Sequence, residues 1–172
     1  MLGSGSNQDC STLLGKHRVA FYSRMGEGPQ TVRLFFSPGR VNLFGGHLDY
    51  NGGPVMPTAI DRGTFLAIRP REDGLVHLQS SMESQGLEFA LGQEPRSKSG
   101  RWVDYPVGVI RELLSLAGRG EGQVRGLDIL FGGNLPVGAG LSSSASICVG
   151  TAFALNEVWG LGLDRRQQVQ CA

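Results

Sequence analysis

Short blocks of apolar and polar residues alternate along the first half of the chain, and a longer period takes over further on. Residues 31–36 (TVRLFF), 64–69 (TFLAIR), 75–79 (LVHLQ) and 87–91 (LEFAL) are brief apolar runs bounded by polar or glycine-rich stretches, and each predicts a strand. Arg71-Glu72-Asp73-Gly74 has the composition of a hairpin turn between the second and third runs. Residues 92–101 (GQEPRSKSGR) read as a polar loop. From Asp104 the spacing becomes helical: Val107, Ile110, Leu113, Leu114 and Ala117 share one face, and Gly118 stops the run. GLDILF (126–131) predicts another strand. A second helix is expected from about Ser143 to Val158, with Ala145, Cys148, Val149, Ala152, Leu155 and Trp159 as its buried stripe, and DRRQQVQCA (164–172) looks like part of a third. Strands precede and separate helices without strict alternation, which predicts an α+β fold rather than a doubly wound parallel sheet. No internal repeat or linker interrupts the pattern.

At 172 residues and 40% hydrophobic content, the chain is long enough for one globular domain with a substantial core. Residues 1–30 read as a loose lead-in and 31–172 as the domain. The N-terminus (MLGSGSNQDCSTLLGKH) lacks the apolar centre of a signal peptide, and no apolar run approaches bilayer length. A net charge of +1 with scattered Lys and Arg argues against a nucleic-acid partner, and nothing suggests a membrane partner. Cys10, Cys148 and Cys171 have neither metal-ligand spacing nor an evident pairing, so a reduced, cytoplasmic setting is expected. Cys148, between Ile147 and Val149, reads as a small buried hydrophobe.

Glycine changes this picture. The chain has 27, and many cluster at 45–53 and 132–140. Clustered glycine lets a backbone pass close to something, and two clusters suggest two parts of one site. The second, GGNLPVGAGLSSSAS (132–146), follows a predicted strand and opens a predicted helix. Orphan N–H groups and the positive end of the helix dipole favour phosphate there. Ser142, Ser143 and Ser144 add hydroxyls that can cap the helix, bond phosphate oxygens or ligate a metal. One serine would suffice as a cap. A Walker A loop needs a lysine that is absent, and a dinucleotide fingerprint needs a third glycine where Ser143 stands.

The loop Pro136–Ser146 resembles the ATP-phosphate loop of the GHMP small-molecule kinases. SPGRVNLFGGHLDYNGG (37–53) resembles the galactokinase signature, and the likeness continues through PVMPTAI (54–60) and RWVDYPVGVI (101–110). The resemblance implies the GHMP kinase N-terminal domain, here incomplete, with a C-terminal domain missing. It implies phosphoryl transfer from ATP to the anomeric hydroxyl of galactose, with Mg2+ as cofactor, by a protein that is monomeric when complete.

Residue by residue, Arg40 matches the arginine beside the reacting hydroxyl, where it would stabilise developing charge. His47 and Asp49 match residues that grip sugar hydroxyls. Pro136, Gly138, Gly140, Leu141, Ser142, Ser143 and Ser144 match the nucleotide loop, with Ser144 as metal ligand, and Trp102 aligns with an aromatic residue near adenine. Each has a plainer reading: Arg40 as a surface ion-pair partner, His47 as a core histidine, Asp49 as an Asx-turn residue, Trp102 as a core residue opening a helix. Taken together and in this order, the functional readings are favoured.

Two departures stand out. Gly46 replaces the family glutamate that contacts the hydroxymethyl end of galactose, which leaves open a uronic acid, a pentose or N-acetylgalactosamine as substrate. The catalytic carboxylate of the family lies beyond the serine loop in a segment resembling Gly-x-x-Asp-Gln, and the nearest downstream acid here, Asp164, matches no such motif. A non-catalytic sugar- and ATP-binding sensor is the rival expectation.

Overall fold

The computed structural model describes residues 10–46, 48, 51–120, 122–136 and 140–172. In chain order its elements are α1 (Cys10–Met25), β1 (Arg33–Phe44), β2 (Met56–Arg71), β3 (Leu75–Ser80), β4 (Leu87–Ala90), α2 (Asp104–Leu116), β5 (Gly126–Gly133), α3 (Ser143–Trp159) and α4 (Arg165–Gln170). One sheet runs in the order β1-β2-β5-β3-β4, with β5 antiparallel to β2 and parallel to β3. The expected α+β class holds.

Strand alternation divides the apolar residues between two faces. Leu66, Ile68, Val76, Leu78, Leu127, Ile129 and Phe131 join Ile110 and Leu113 of α2 and Ala152 and Leu155 of α3 in the main core. Ala67 and Leu130 point the other way and meet Phe21 of α1 and Val32. Each fully buried Leu or Ile contributes about 1.5–3 kcal/mol, so the main core carries most of the stability. Helix α2 matches its sequence pattern closely, and Gly118 follows it at φ 60° as the expected stop.

Three expectations are corrected. The turn Arg71–Gly74 does not close a hairpin, because β5 lies between β2 and β3. Seven of the eight β5 residues are buried, and a central strand needs a hydrogen-bonding neighbour on both edges, a demand local turn chemistry cannot register. The chain crosses the end of β5 at Gly126, where a Cβ would stand 2.3 Å from the Leu75 carbonyl oxygen, so the crossing requires glycine.

Second, the presumed loose lead-in is helical from Cys10 onward. α1 is held by buried Phe21 and His17, and by Arg69 of β2, whose guanidinium donates to the carbonyls of Gly26 (2.8 Å) and Met25 (3.1 Å). Third, the buried stripe of α3 is rotated. Ala145 and Val149 are exposed and Trp159 is half-buried, while Ser146, Thr151 and Asn156 are buried beside Cys148, Ala152 and Leu155. The helix is apolar on nearly every side, so periodicity could not identify its inner face.

His17 makes the back face pH-sensitive. Its Nε2 lies 3.0 Å from the Leu130 carbonyl, and burial pushes its pKa below the ordinary 6.5, partly offset by that bond. Between the two values the unfolded chain binds more protons than the folded one, so stability falls as pH drops below 6.5 towards the folded pKa. Thermal midpoints at about pH 7.5 and about pH 5.5 are expected to converge in His17→Gln relative to the parent. Identical pH slopes in the two proteins would count against His17 as the source.

Candidate active site

The β1–β2 ladder breaks where the first glycine-rich stretch begins. Pro38 pairs with Gly63 but Arg40 pairs with Ala59, so β2 bulges over residues 60–62. At the break Gly39 runs against the second stretch: a Cβ there would stand 2.6 Å from Leu135 Cδ2 and 2.9 Å from the Leu141 carbonyl oxygen. The next N–H, that of Arg40, donates to the Leu141 carbonyl at 3.2 Å. Two motifs far apart in sequence thus meet backbone to backbone. The Arg40 side chain is exposed on this surface.

The second motif starts from a fixed anchor. Asn134 and Gly63 exchange two bonds: the Gly63 N–H donates to Asn134 Oδ1 (2.8 Å), and the Asn134 N–H donates to the Gly63 carbonyl (3.2 Å). At the other end Ser142 forms the N-cap of α3 at φ 60° and ψ 43°, the sole non-glycine at positive φ among the described residues. A left-handed conformation there costs about 1–3 kcal/mol. Its side chain accepts no capping hydrogen bond. The N–H groups of Ser143, Ser144 and Ala145 precede the first intrahelical bond, from Ser146 N–H to the Ser142 carbonyl at 2.9 Å, and the Ser142 side chain caps none of them; Ser143 and Ser144 are exposed. Backbone held in a strained turn, with donors facing solvent, is equipped to take an anion. Gly140, also at positive φ (67°), and Pro136 flank this turn on the exposed side.

Trp102 lies on a neighbouring wall. Its ring meets Phe131 edge-on at 5.3 Å, and both line a cavity of about 190 Å³ with Leu135, Ser143 and Ile147. The buried indole Nε1 has no hydrogen-bond partner among the described residues. The apolar wall that Trp102 and Phe131 form suits a flat ring. Asp104 fixes the turn that carries Trp102: its carboxylate accepts from the Ser99 hydroxyl (2.7 Å) and the Ser99 and Gly100 N–H groups (3.1 and 2.8 Å). Those bonds, the one from the Ser99 hydroxyl foremost, hold its carboxyl below the usual carboxylate range.

Of the residues singled out from sequence, the structure brings Arg40, Leu141, Ser142, Ser143 and Ser144 to one region, with Trp102 on the adjoining cavity that Ser143 also lines. His47, Asp49 and Gly138 lie outside the described residues. Gly46 faces open space, since a Cβ there would meet nothing within 4 Å. Asp164 is engaged as the N-cap of α4, in a capping box with Gln167 at 2.9 Å in both directions. Among the described residues no three His, Cys, Asp or Glu side chains cluster as a metal site. Sequence reading missed Ser146, Asn134 and Phe131 as framing residues. For Ser146 the available signal was a fourth serine, two residues past the Ser142–Ser144 run.

The chain matches the galactokinase galactose-binding signature over residues 20–70 and the N-terminal domain of the GHMP kinases over residues 104–172. It is 45% identical over 134 residues to the galactokinase of Halalkalibacterium halodurans, covering 78% of this chain and 33% of that protein. It is 48% identical over 154 residues to the galactokinase of Bacillus subtilis, covering 88% and 38%. The crystal structure of Lactococcus lactis galactokinase complexed with galactose aligns with a TM-score of 0.82 at 36% identity, over 93% of this chain and 41% of that one. Methanococcus jannaschii mevalonate kinase aligns with a TM-score of 0.71 at 22% identity, over 84% of this chain and 45% of that one, which concerns the fold alone. The chain belongs to the GHMP kinases. Within them it matches the N-terminal part of the galactokinases, spanning about a third of the length of the curated relatives named here.

No helix among the described residues is long and apolar enough to cross a membrane.

Proposed function

We propose that this chain forms the nucleotide- and sugar-gripping part of a galactokinase-type enzyme. The reaction moves the γ-phosphoryl group of ATP to the anomeric hydroxyl of galactose. The bond from the γ-phosphorus to the bridging oxygen breaks, a bond to the sugar oxygen forms, and the hydroxyl proton passes to a base. ADP and galactose 1-phosphate are the products. The observation that carries this reading is the hydrogen bond from Arg40 N–H to the Leu141 carbonyl, which sets the signature arginine beside the anion-ready end of α3.

In this reading Pro136, Gly138, Gly140, Leu141, Ser142, Ser143 and Ser144 cradle the phosphates and Trp102 packs near the adenine. Arg40 stabilises charge developing between donor and acceptor, and His47 and Asp49 hold sugar hydroxyls. The donor set also suits Mg2+. A hard cation that keeps waters and phosphate oxygens needs few protein ligands, and the exposed Ser144 hydroxyl would supply one. When bound, the ion neutralises phosphate charge.

Gly46 favours a second reading of the substrate. With no carboxylate and open space at that position, a uronic acid, a pentose or N-acetylgalactosamine is the alternative. A non-catalytic sensor is the other rival.

A chimera tests these readings. This chain would replace the corresponding N-terminal part of the Bacillus subtilis galactokinase, and ADP release would be followed with MgATP and each sugar. Turnover is expected, with galactose preferred. Arg40→Ala in the chimera should lower kcat by about tenfold or more while the KM for MgATP moves much less. A folded chimera that Arg40→Ala leaves unaffected would remove the arginine from the mechanism, and sugar binding without turnover would favour the sensor.

A further inference from the structure

We infer that Ser146 is a positioning residue that holds the anion-binding turn of α3 in register with the Arg40 strand; the functional meaning of that register rests on the kinase reading above.

Ser146 sits in the first turn of α3, only 3% exposed, on the side turned away from solvent-facing Ser143 and Ser144. Its hydroxyl donates to the Ser37 carbonyl at 2.7 Å and accepts from the Thr64 N–H at 3.2 Å, and it lies 2.9 Å from the Thr64 hydroxyl. Ser37 and Thr64 stand opposite one another in the β1–β2 ladder, one pair before Pro38–Gly63 and the break. The hydroxyl thus bridges the carbonyl of one partner and the N–H of the other, wedged between the strands.

The consequences are mechanical. The first turn of α3 cannot shift without breaking the hydroxyl's bonds to the Ser37 carbonyl and the Thr64 N–H, and both residues are only 6% exposed. One turn further on, Gly150 keeps the helix flat on the same spot: a Cβ there would stand 2.7 Å from Ser37 Cβ. Three residues along β1, Arg40 N–H completes the joint through Leu141. A hydroxyl has one hydrogen to donate and two lone pairs to accept with, which is the valence this bridge uses. Ser142, Ser143 and Ser144 are left for a ligand.

Amide hydrogen exchange on the whole chain tests the inference. In Ser146→Ala, exchange at Thr64 and Arg40 should accelerate about tenfold or more while Ile129, in the middle of β5, stays within about twofold of the parent. Ser146→Thr, which keeps the hydroxyl, should restore most of the protection. If the alanine variant does not fold, Ser146→Cys, near in shape and a weak donor, should show the same local pattern. Equal acceleration at all three amides would mean that Ser146 only stabilises the fold, and no change at Thr64 and Arg40 would mean that it does not couple them. Either result overturns the inference.

A second arm adds a non-hydrolysable ATP analogue with Mg2+. The parent should gain protection at Arg40, and Ser146→Ala should lose that gain. A parent that binds no analogue would count against the kinase reading alone, because the ligand-free exchange still judges Ser146.

Discussion

Supplied with MgATP and galactose, the 172-residue chain on its own is expected to release ADP at least about a hundredfold more slowly than the chimera, because general-base help is worth about 10²–10⁴-fold. Arg40 has no carboxylate partner among the described residues, and Asp164 is committed to the end of α4. The surroundings are also open. Phe35, Phe36, Val149, Phe153 and Val169 line an uncovered apolar groove of about 330 Å³ between β1 and the helices α3 and α4. Arg40, Ser143 and Ser144 are exposed as well, and water around them weakens every charge interaction that transfer depends on. Exposed apolar surface of this kind also favours self-association, so the assay needs monodisperse protein. A coupled ADP-release assay decides the matter. Turnover within about tenfold of the chimera would show that a base is present after all. Asp49 and Asp61, the latter in the bulge of β2 opposite Gly39, would be examined first.

Asp128→Ala is expected to cost about 3–5 kcal/mol of folding stability, a large share of the roughly 5–15 kcal/mol that holds a domain together. Asp128 is 3% exposed on the central strand, and Arg69 beside it is 7% exposed. Arg69 Nε and Nη2 donate to Asp128 Oδ2 at 3.1 and 2.6 Å, and Arg71 Nη1 donates to Oδ1 at 2.7 Å. Removing the carboxylate strands a buried guanidinium whose remaining partners are two carbonyls and the face of Phe21. Because that guanidinium also fastens α1, the helix should loosen first. Urea denaturation of Asp128→Ala against Asp73→Asn makes the comparison. Asp73 is pulled down to a pKa of about 2 chiefly by its hydrogen bond from Arg71, but its side chain is 48% exposed and the pair is worth about 0–1 kcal/mol. Equal losses in the two variants would show that burial of the Arg69–Asp128 pair adds nothing.

Much of the protein was legible along the chain. Periodicity sufficed for α2 and for the existence of β3, β4 and β5, because apolar spacing at 3.6 or 2 residues records one buried face. The two glycine-rich motifs marked a candidate site through composition and order, which needs no three-dimensional information. What the chain could not disclose were facts of long range. The insertion of β5 between β2 and β3 depends on which strand edges remain unpaired, a property of the whole sheet. The rotation of α3 depends on what it packs against: Ser146 and Thr151 face inward because Ser37, Thr64 and the flat of the sheet wait there, and an all-round apolar helix carries no record of that choice. The helix over Cys10–Met25 has little amphipathic pattern of its own and forms against Arg69, Ala67 and Leu130, residues that are distant in sequence. The sequence alone marked which residues are candidates to bind phosphate and sugar. The tertiary structure decided that the two glycine-rich segments meet, because the contact between Gly39, Arg40 and Leu141 joins stretches that no local rule relates.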